Sequence, residues 1–290
     1  MNKFVILLLV VISTHLNAGE LMFNVNTPIP DFDLKIRYSN NSISYDSVNL
    51  ICYSFSESNP KPTAIEINLK KDMFGTFISE MRVPATAVYL LFKVEDIDDN
   101  YGNYWDLLVY DASLKPLKNA SFIAGLSYLG NNSAEYRVNN DFNKAHEYFN
   151  QELKLYPDNF RASIALNVLK FDTKRISYTE FEKNLKKILE KKPSVFTEEI
   201  VRTLSRAYKV LNMNDESKYI EMEFAKNNPN SALAEELLMI ELASAKSFDK
   251  FSSLAVDFIK KFPQSTNLNR ISSALVNSYL QSNKYEEILK

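Results

Sequence analysis

Few side chains in this sequence could do chemistry, and they are scattered. The 290 residues hold two histidines, His15 and His146, and a single cysteine, Cys52. A catalytic triad needs a His oriented by an acid beside a nucleophile, structural zinc needs four N or S ligands, and a dithiol redox centre needs two cysteines. That inventory excludes all three. Cys52 falls in the apolar stretch Leu50-Ile51-Cys52-Tyr53-Ser54-Phe55 and reads as a small buried strand residue. His146, among Ala145, Tyr148 and Phe149, reads as a packing or surface residue. The five glycines, Gly19, Gly75, Gly102, Gly125 and Gly130, compose neither a phosphate-cradling loop nor a nucleophile elbow, so no nucleotide cofactor is expected. The densest oxygen-ligand run is Glu95-Asp96-Ile97-Asp98-Asp99-Asn100-Tyr101-Gly102-Asn103. It offers enough carboxylates and amides for calcium, but its Gly comes one position late and Leu107 stands where the bidentate Glu belongs, so a turn between strands is the better reading. Arg202, Arg206 and Lys209 lie at i, i+4 and i+7, on one face of one helix. Such a stripe could hold an acidic peptide or a chain-terminal carboxylate through charge-assisted hydrogen bonds. Glu198 and Glu199 beside it support the plainer alternative of a solvated face.

The elements that would carry these residues divide by hydrophobic period. From about residue 20 to 115, apolar and polar residues alternate with period two: Phe32, Leu34, Ile36 and Tyr38; Ile65, Ile67 and Leu69; Val88, Leu90, Phe92 and Val94; Trp105, Leu107 and Val109. Turn clusters separate the runs, and the pattern predicts an antiparallel β-sandwich over residues 19–118. Beyond Gly130 there is no glycine, and apolar spacing changes to three and four. The last four prolines, Pro157, Pro193, Pro229 and Pro263, fall at intervals of 36, 36 and 34. Helix-stopping prolines at that period predict an α-solenoid of helical hairpins over residues 122–290.

The helical unit resembles the tetratricopeptide repeat. In the first unit Leu129, Tyr136, Phe142, Ala145 and Phe149 occupy the pattern positions; in the third, Leu204, Ser205, Tyr208 and Ser217 do; and Leu275 to Tyr279 restates a first helix. The second and fourth units keep the proline but match less well. The resemblance implies a groove lined by first helices, with Arg137, Arg202, Arg206, Lys209 and Arg270 as candidate peptide-binding residues. It also implies a protein or peptide partner. The stretch Asp99 to Trp105 looks like a strand-joining loop of some starch-binding β-sandwich modules, which makes a polysaccharide an alternative partner; Trp105, in phase with Leu107 and Val109, is equally a core residue. The domain order resembles the N-terminal region of exported bacterial proteins that carry a C-terminal thioredoxin-like domain, which would place the redox chemistry past Lys290.

Lys3, the nine apolar residues Phe4 to Ile12, the polar Ser13-Thr14-His15 and the small Ala18 follow the order of a secretory signal peptide. Cleavage after Ala18 leaves Leu16 at the third position before the cut. Export to a periplasm or the outside follows as an expectation, as do a non-enzymatic role and the absence of a membrane span, since no later run approaches the ~20 apolar residues a spanning helix needs. With 46% hydrophobic and 24% charged residues and a net charge of −2, the composition is that of an ordinary folded protein. It lacks the basic face that nucleic-acid binding requires; the lysines at 183, 186, 187, 191 and 192 share their helix with Glu180, Glu182 and Glu190. Asn40, Asn119 and Asn131 begin glycosylation sequons. The segment Tyr285 to Lys290 opens a second helix and stops, as in a chain that continues further or a last unit that packs on a partner.

Overall fold

The computed structural model describes residues 19–40, 43–57, 62–95, 104–130, 138–191, 196–282. The signal-peptide segment, the acidic loop at 96–103, Arg137, Pro193 and the Tyr285–Lys290 segment lie outside the described residues. Two compact units divide the chain, Met1–Leu169 and Lys170–Lys290.

The first unit begins with seven strands: β1 (Glu20–Phe23), β2 (Asp33–Ser39), β3 (Ser47–Ser56), β4 (Thr63–Lys71), β5 (Phe77–Arg82), β6 (Ala87–Val94) and β7 (Trp105–Leu108). All described pairings are antiparallel, in the order β1-β2-β5-β4-β3-β6-β7. The expected two-sheet sandwich is therefore one hydrogen-bonded sheet, nearly closed on itself. The reason lies in β4, which pairs with β3 over eight residue pairs, from Ser47↔Lys70 to Ser54↔Thr63, and then with β5 over only two. The sheet folds at that short junction and its two ends meet face to face. Phe23 of β1 lies 4.8 Å from Phe92 of β6, and Tyr38 of β2 meets Trp105 of β7 edge-on at 6.2 Å. Inside are Leu34, Ile36, Leu50, Cys52, Leu69, Phe77, Leu90 and Phe92, all without solvent exposure. The alternation of Leu34, Ile36 and Tyr38 with polar residues is seen directly in the buried–exposed pattern of β2.

Three helices follow: α1 (Ala120–Ser127), α2 (Phe142–Leu155) and α3 (Phe160–Asp172). They cover the outer face of β3, β6 and β7, where Tyr53, Phe55, Val88, Leu91 and Leu108 join Phe122, Phe149, Ala162 and Leu166 in a second apolar cluster. Strand β6 is consequently buried on both faces. The division between the compact units falls inside α3. Two devices hold the helices together. A Cβ added at Gly125 of α1 would lie 2.5 Å from the Phe149 ring of α2, so the close approach requires glycine. Glu152 of α2, with no exposed surface, accepts hydrogen bonds from the backbone N–H of Asn119 at 2.8 Å and of Phe122 at 3.3 Å, and from Asn159 Nδ2 at 2.7 Å. A carboxylate at the head of α1 satisfies helical N–H groups that have no intrahelical acceptor. Asn159 in turn accepts from the Ala162 N–H at the start of α3.

The second unit continues with α4 (Tyr178–Leu189), α5 (Glu198–Val210), α6 (Asn214–Asn227), α7 (Ala232–Ser244), α8 (Phe248–Lys261) and α9 (Leu268–Gln281). Consecutive helices pack in sequence from α5 to α9. Side-chain oxygens of Ser177, Thr197, Ser231 and Ser247 cap the N-termini of α4, α5, α7 and α8, each satisfying one otherwise unpaired N–H. The proline punctuation has a common geometry. Tyr156, Asn228 and Phe262 precede Pro157, Pro229 and Pro263, and all three close their helices with φ near −130° and an N–H bonded four residues back. A residue before proline is pushed out of the helical region by the pyrrolidine ring, so the same step recurs after α2, α6 and α8.

Candidate functional site

The predicted basic stripe lies on α5. Thr197 caps this helix through the Ile200 N–H, and Val201, Leu204, Ser205 and Ala207 form its buried face. The hairpin closes on small residues: Ser205 and Ser217 of α6 are buried with their hydroxyls 2.9 Å apart, and Ser205 also donates to Glu221. Packing of this side turns Arg202, Arg206 and Lys209 outward.

Two of these three cations are answered within the protein. Arg202 donates to Glu198 at 2.9 Å and to Glu236 at 2.7 Å. Partial burial works against its charge, but the two carboxylates outweigh that cost and hold the guanidinium above its usual range. Lys209 reaches Glu221 at 3.1 Å. Arg206 is exposed and has no ion-pair partner among the described residues. Arg270, in the first turn of α9, is likewise exposed and unpaired among them. Arg137 lies outside the described residues.

Arg202 and Glu236 are 34 residues apart, and both ends of α5 and α7 differ by the same interval. The two side chains therefore hold equivalent places in successive first helices, and their contact places those faces side by side. One turn further along each helix stand Arg206 and Ile240, the latter 58% exposed. The stripe is legible from charge spacing; Ile240 is not, because an aliphatic residue in a helix-period pattern reads as core.

In the first unit the structure assembles a polar cluster that the hydrophobic pattern does not announce. Asp106 of β7, with its side chain 12% exposed, accepts from Tyr148 at 2.8 Å and Tyr89 at 3.3 Å, and Lys144 Nζ stands 3.5 Å away. Lys144 also bonds the Tyr128 hydroxyl and sits 4.2 Å above that ring, whose other neighbour is the stacked ring of Tyr148. Burial first, and the Asp106 charge second, push the Tyr89, Tyr128 and Tyr148 hydroxyls well above the ordinary phenol range. Tyr89 and Tyr148 donate to Asp106 while the Tyr128 hydroxyl accepts from Lys144, so the cluster fastens helices to the sheet. Asp106 alternates with Trp105 and Leu107, a pattern that by itself points its side chain to solvent. The signal that reveals it is the run of Tyr128, Lys144 and Tyr148 on helices that must cover that face.

Trp105 is half-buried against the sheet interior, as its phase with Leu107 allows. Cys52 is fully buried, which pushes its thiol far above the usual range. The His146 ring contacts the Asn150 amide one turn away. Asn119 is buried, and its amide donates to Glu57 at 2.8 Å, so in the folded chain that sequon is closed to modification. Among the described residues no group of three or more His, Cys, Asp or Glu is placed to hold a metal ion, and no helix is long and apolar enough to cross a membrane.

No family model matches the chain, and no curated protein matches it. Among solved structures, the human IFIT1 dimer with PPP-AAAA is 14% identical with a TM-score of 0.29, over 58% of this chain and 38% of the other. The same human dimer with m7Gppp-AAAA is 13% identical with a TM-score of 0.31, over 58% and 37%. The chain thus spans less than two-fifths of the IFIT1 chains it matches, and a likeness this slight carries no argument about function.

Proposed function

We propose that the helical array is a non-catalytic docking module, and that a partner protein lays a segment bearing a carboxylate and an aliphatic side chain along the face shared by α5 and α7. The observation that carries this reading is the row formed by Arg206 and Ile240. Next to it Arg202 is neutralised by Glu198 and Glu236, whereas Arg206 has no ion-pair partner among the described residues and Ile240 keeps more than half of its surface in solvent. A cation beside an exposed aliphatic side chain on rigid helices suits an acidic–apolar segment, with specificity from the charge-assisted bond and affinity from burial. Arg270 extends the basic character to α9, and Arg137 belongs to the proposal on sequence grounds alone. Export through residues 1–18 completes the reading and is checked by sequencing the N-terminus of the exported product.

The test is selection of a displayed dodecapeptide library on the full chain. Selected peptides should be enriched in Asp or Glu next to Leu, Ile or Phe, and Arg206→Glu combined with Ile240→Asp should weaken their binding at least tenfold while the helical circular dichroism stays unchanged. Absence of acidic enrichment, or equal binding to the double variant, refutes the reading.

A further inference from the structure

Between the start of α5 and the exposed side of α6 lies a cavity of about 470 Å³, inside the size range of small-ligand sites. Its described lining includes three aromatic residues, Phe196, Tyr219 and Phe224, and a single charged one, Glu223. No Lys or Arg stands among them. Some carboxylates on the helices of this unit are answered, Glu221 by Lys209, Glu236 by Arg202 and Glu241 by Lys250, and others, such as Asp215 and Glu216, face solvent without an ion pair among the described residues. What sets Glu223 apart is its place beside three aromatic rings. Glu223 has no hydrogen bond or ion pair to another described residue. Tyr219, 64% exposed, leaves the mouth open to solvent, and Asn227 adds an amide to the wall.

We infer that this cavity is a binding site for an organic cation, an ammonium group seated among the aromatic rings with Glu223 as its counter-charge. Aromatic faces attract cations through their quadrupole even at exposed sites, and Glu223, an exposed carboxylate with no ion pair among the described residues, adds a charge-assisted contact. An anion would meet the Glu223 charge with no cation among the described lining residues to offset it. A neutral apolar ligand would gain from the walls but would leave Glu223 unanswered. The inference does not depend on the α5–α7 docking face. The ammonium group could belong to a small free molecule or to a basic side chain of a protein.

Three probes distinguish these cases on the full chain by calorimetry and ligand-observed NMR: choline, its uncharged carbon isostere 3,3-dimethylbutanol, and N-acetyl-lysine methylamide. The expected result is that at least one cationic probe binds roughly five- to tenfold more tightly than the isostere. Tighter choline binding assigns the site to small molecules, and tighter binding of the lysine derivative assigns it to a side chain. Glu223→Gln and Phe224→Leu should each reduce that preference severalfold, with helical circular dichroism retained and the isostere's affinity unchanged in Glu223→Gln. Equal affinities for the cations and the isostere, or a cation preference that survives in both variants, overturns the inference.

Discussion

Replacing Glu152 with Gln is the sharpest test of how the first unit is assembled. The side chain is wholly buried and accepts three hydrogen bonds, two from the backbone at the head of α1 and one from Asn159. Gln has the same shape but brings an amide NH₂ where a carboxylate oxygen faces only donors. One accepted bond is lost, a donor is turned toward another donor, and the remaining bonds lose their charge. A net hydrogen bond to a charged group contributes about 1.5–3 kcal/mol, and a buried donor left unpaired costs about 1–3 kcal/mol. The combined destabilisation should be about 3 kcal/mol, which in a unit of this size lowers the melting temperature by about 6–12 °C. The assay is thermal unfolding followed by fluorescence of Trp105, the only tryptophan of the chain, whose ring packs against the sheet interior. Glu147→Gln, an exposed substitution on the same helix, is the control. If Glu152→Gln moves the Trp105 transition no further than the control does, the carboxylate is not what ties the helix heads together.

Other perturbations follow from the same packing. Gly125→Ala should cost about 1–3 kcal/mol through overpacking against Phe149, measured by urea unfolding, with Phe149→Leu in the same chain recovering part of the loss. The raised Tyr89, Tyr128 and Tyr148 hydroxyls contribute stability that is fully present below about pH 10, where unfolded tyrosine begins to ionise, and is lost as pH climbs toward the folded values. The urea midpoint should therefore fall above about pH 10, and less steeply in Tyr148→Phe. Burial of Cys52 predicts that a disulfide reagent labels the native chain far more slowly than the chain in urea at the same pH. Arg202→Glu should destabilise the second unit, since it sets two carboxylates against a new one, whereas Arg206→Glu should leave the melting temperature within about 1 °C because its side chain is solvated.

Periodicity alone makes much of this architecture legible in the sequence. Leu34, Ile36 and Tyr38 alternate because β2 has one face inside and one in solvent, and Pro157, Pro229 and Pro263 mark helix ends because each denies its predecessor a helical conformation. The nearly closed sheet is not legible, since strand alternation says which side chains point inward but not that β4 pairs with both β3 and β5. The double burial of β6 has a signal in Tyr89 and Leu91, apolar where a water-facing strand would carry polar residues, and a period-two reading of Val88, Leu90, Phe92 and Val94 passes over it. At the candidate site the basic stripe is visible as i, i+4, i+7 spacing. Its neutralisation is only half visible: Glu198 lies on the same helix as Arg202, but Glu236 comes from the next repeat and Glu221 from the facing helix. The cavity beside α6 is hidden altogether, because Phe196, Tyr219 and Phe224 look like core residues in any helical pattern.

The double burial of β6 also bears on how the first unit comes apart. Its side chains are shared between the sheet interior, which takes Ala87, Leu90, Phe92 and Val94, and the cluster under the helices, which takes Val88, Tyr89 and Leu91, so opening either one strips packing from the same strand. Amide hydrogens along Val88 to Phe92 should therefore exchange only through complete opening of the unit, and at a common rate. A proteolytic fragment that kept the sheet but lost α1 and α2 would expose Tyr53, Phe55 and Leu91 together as a sticky surface. The sheet and the helices that cover it are in that sense one inheritable piece, and a graft or truncation made between them would cut through a core.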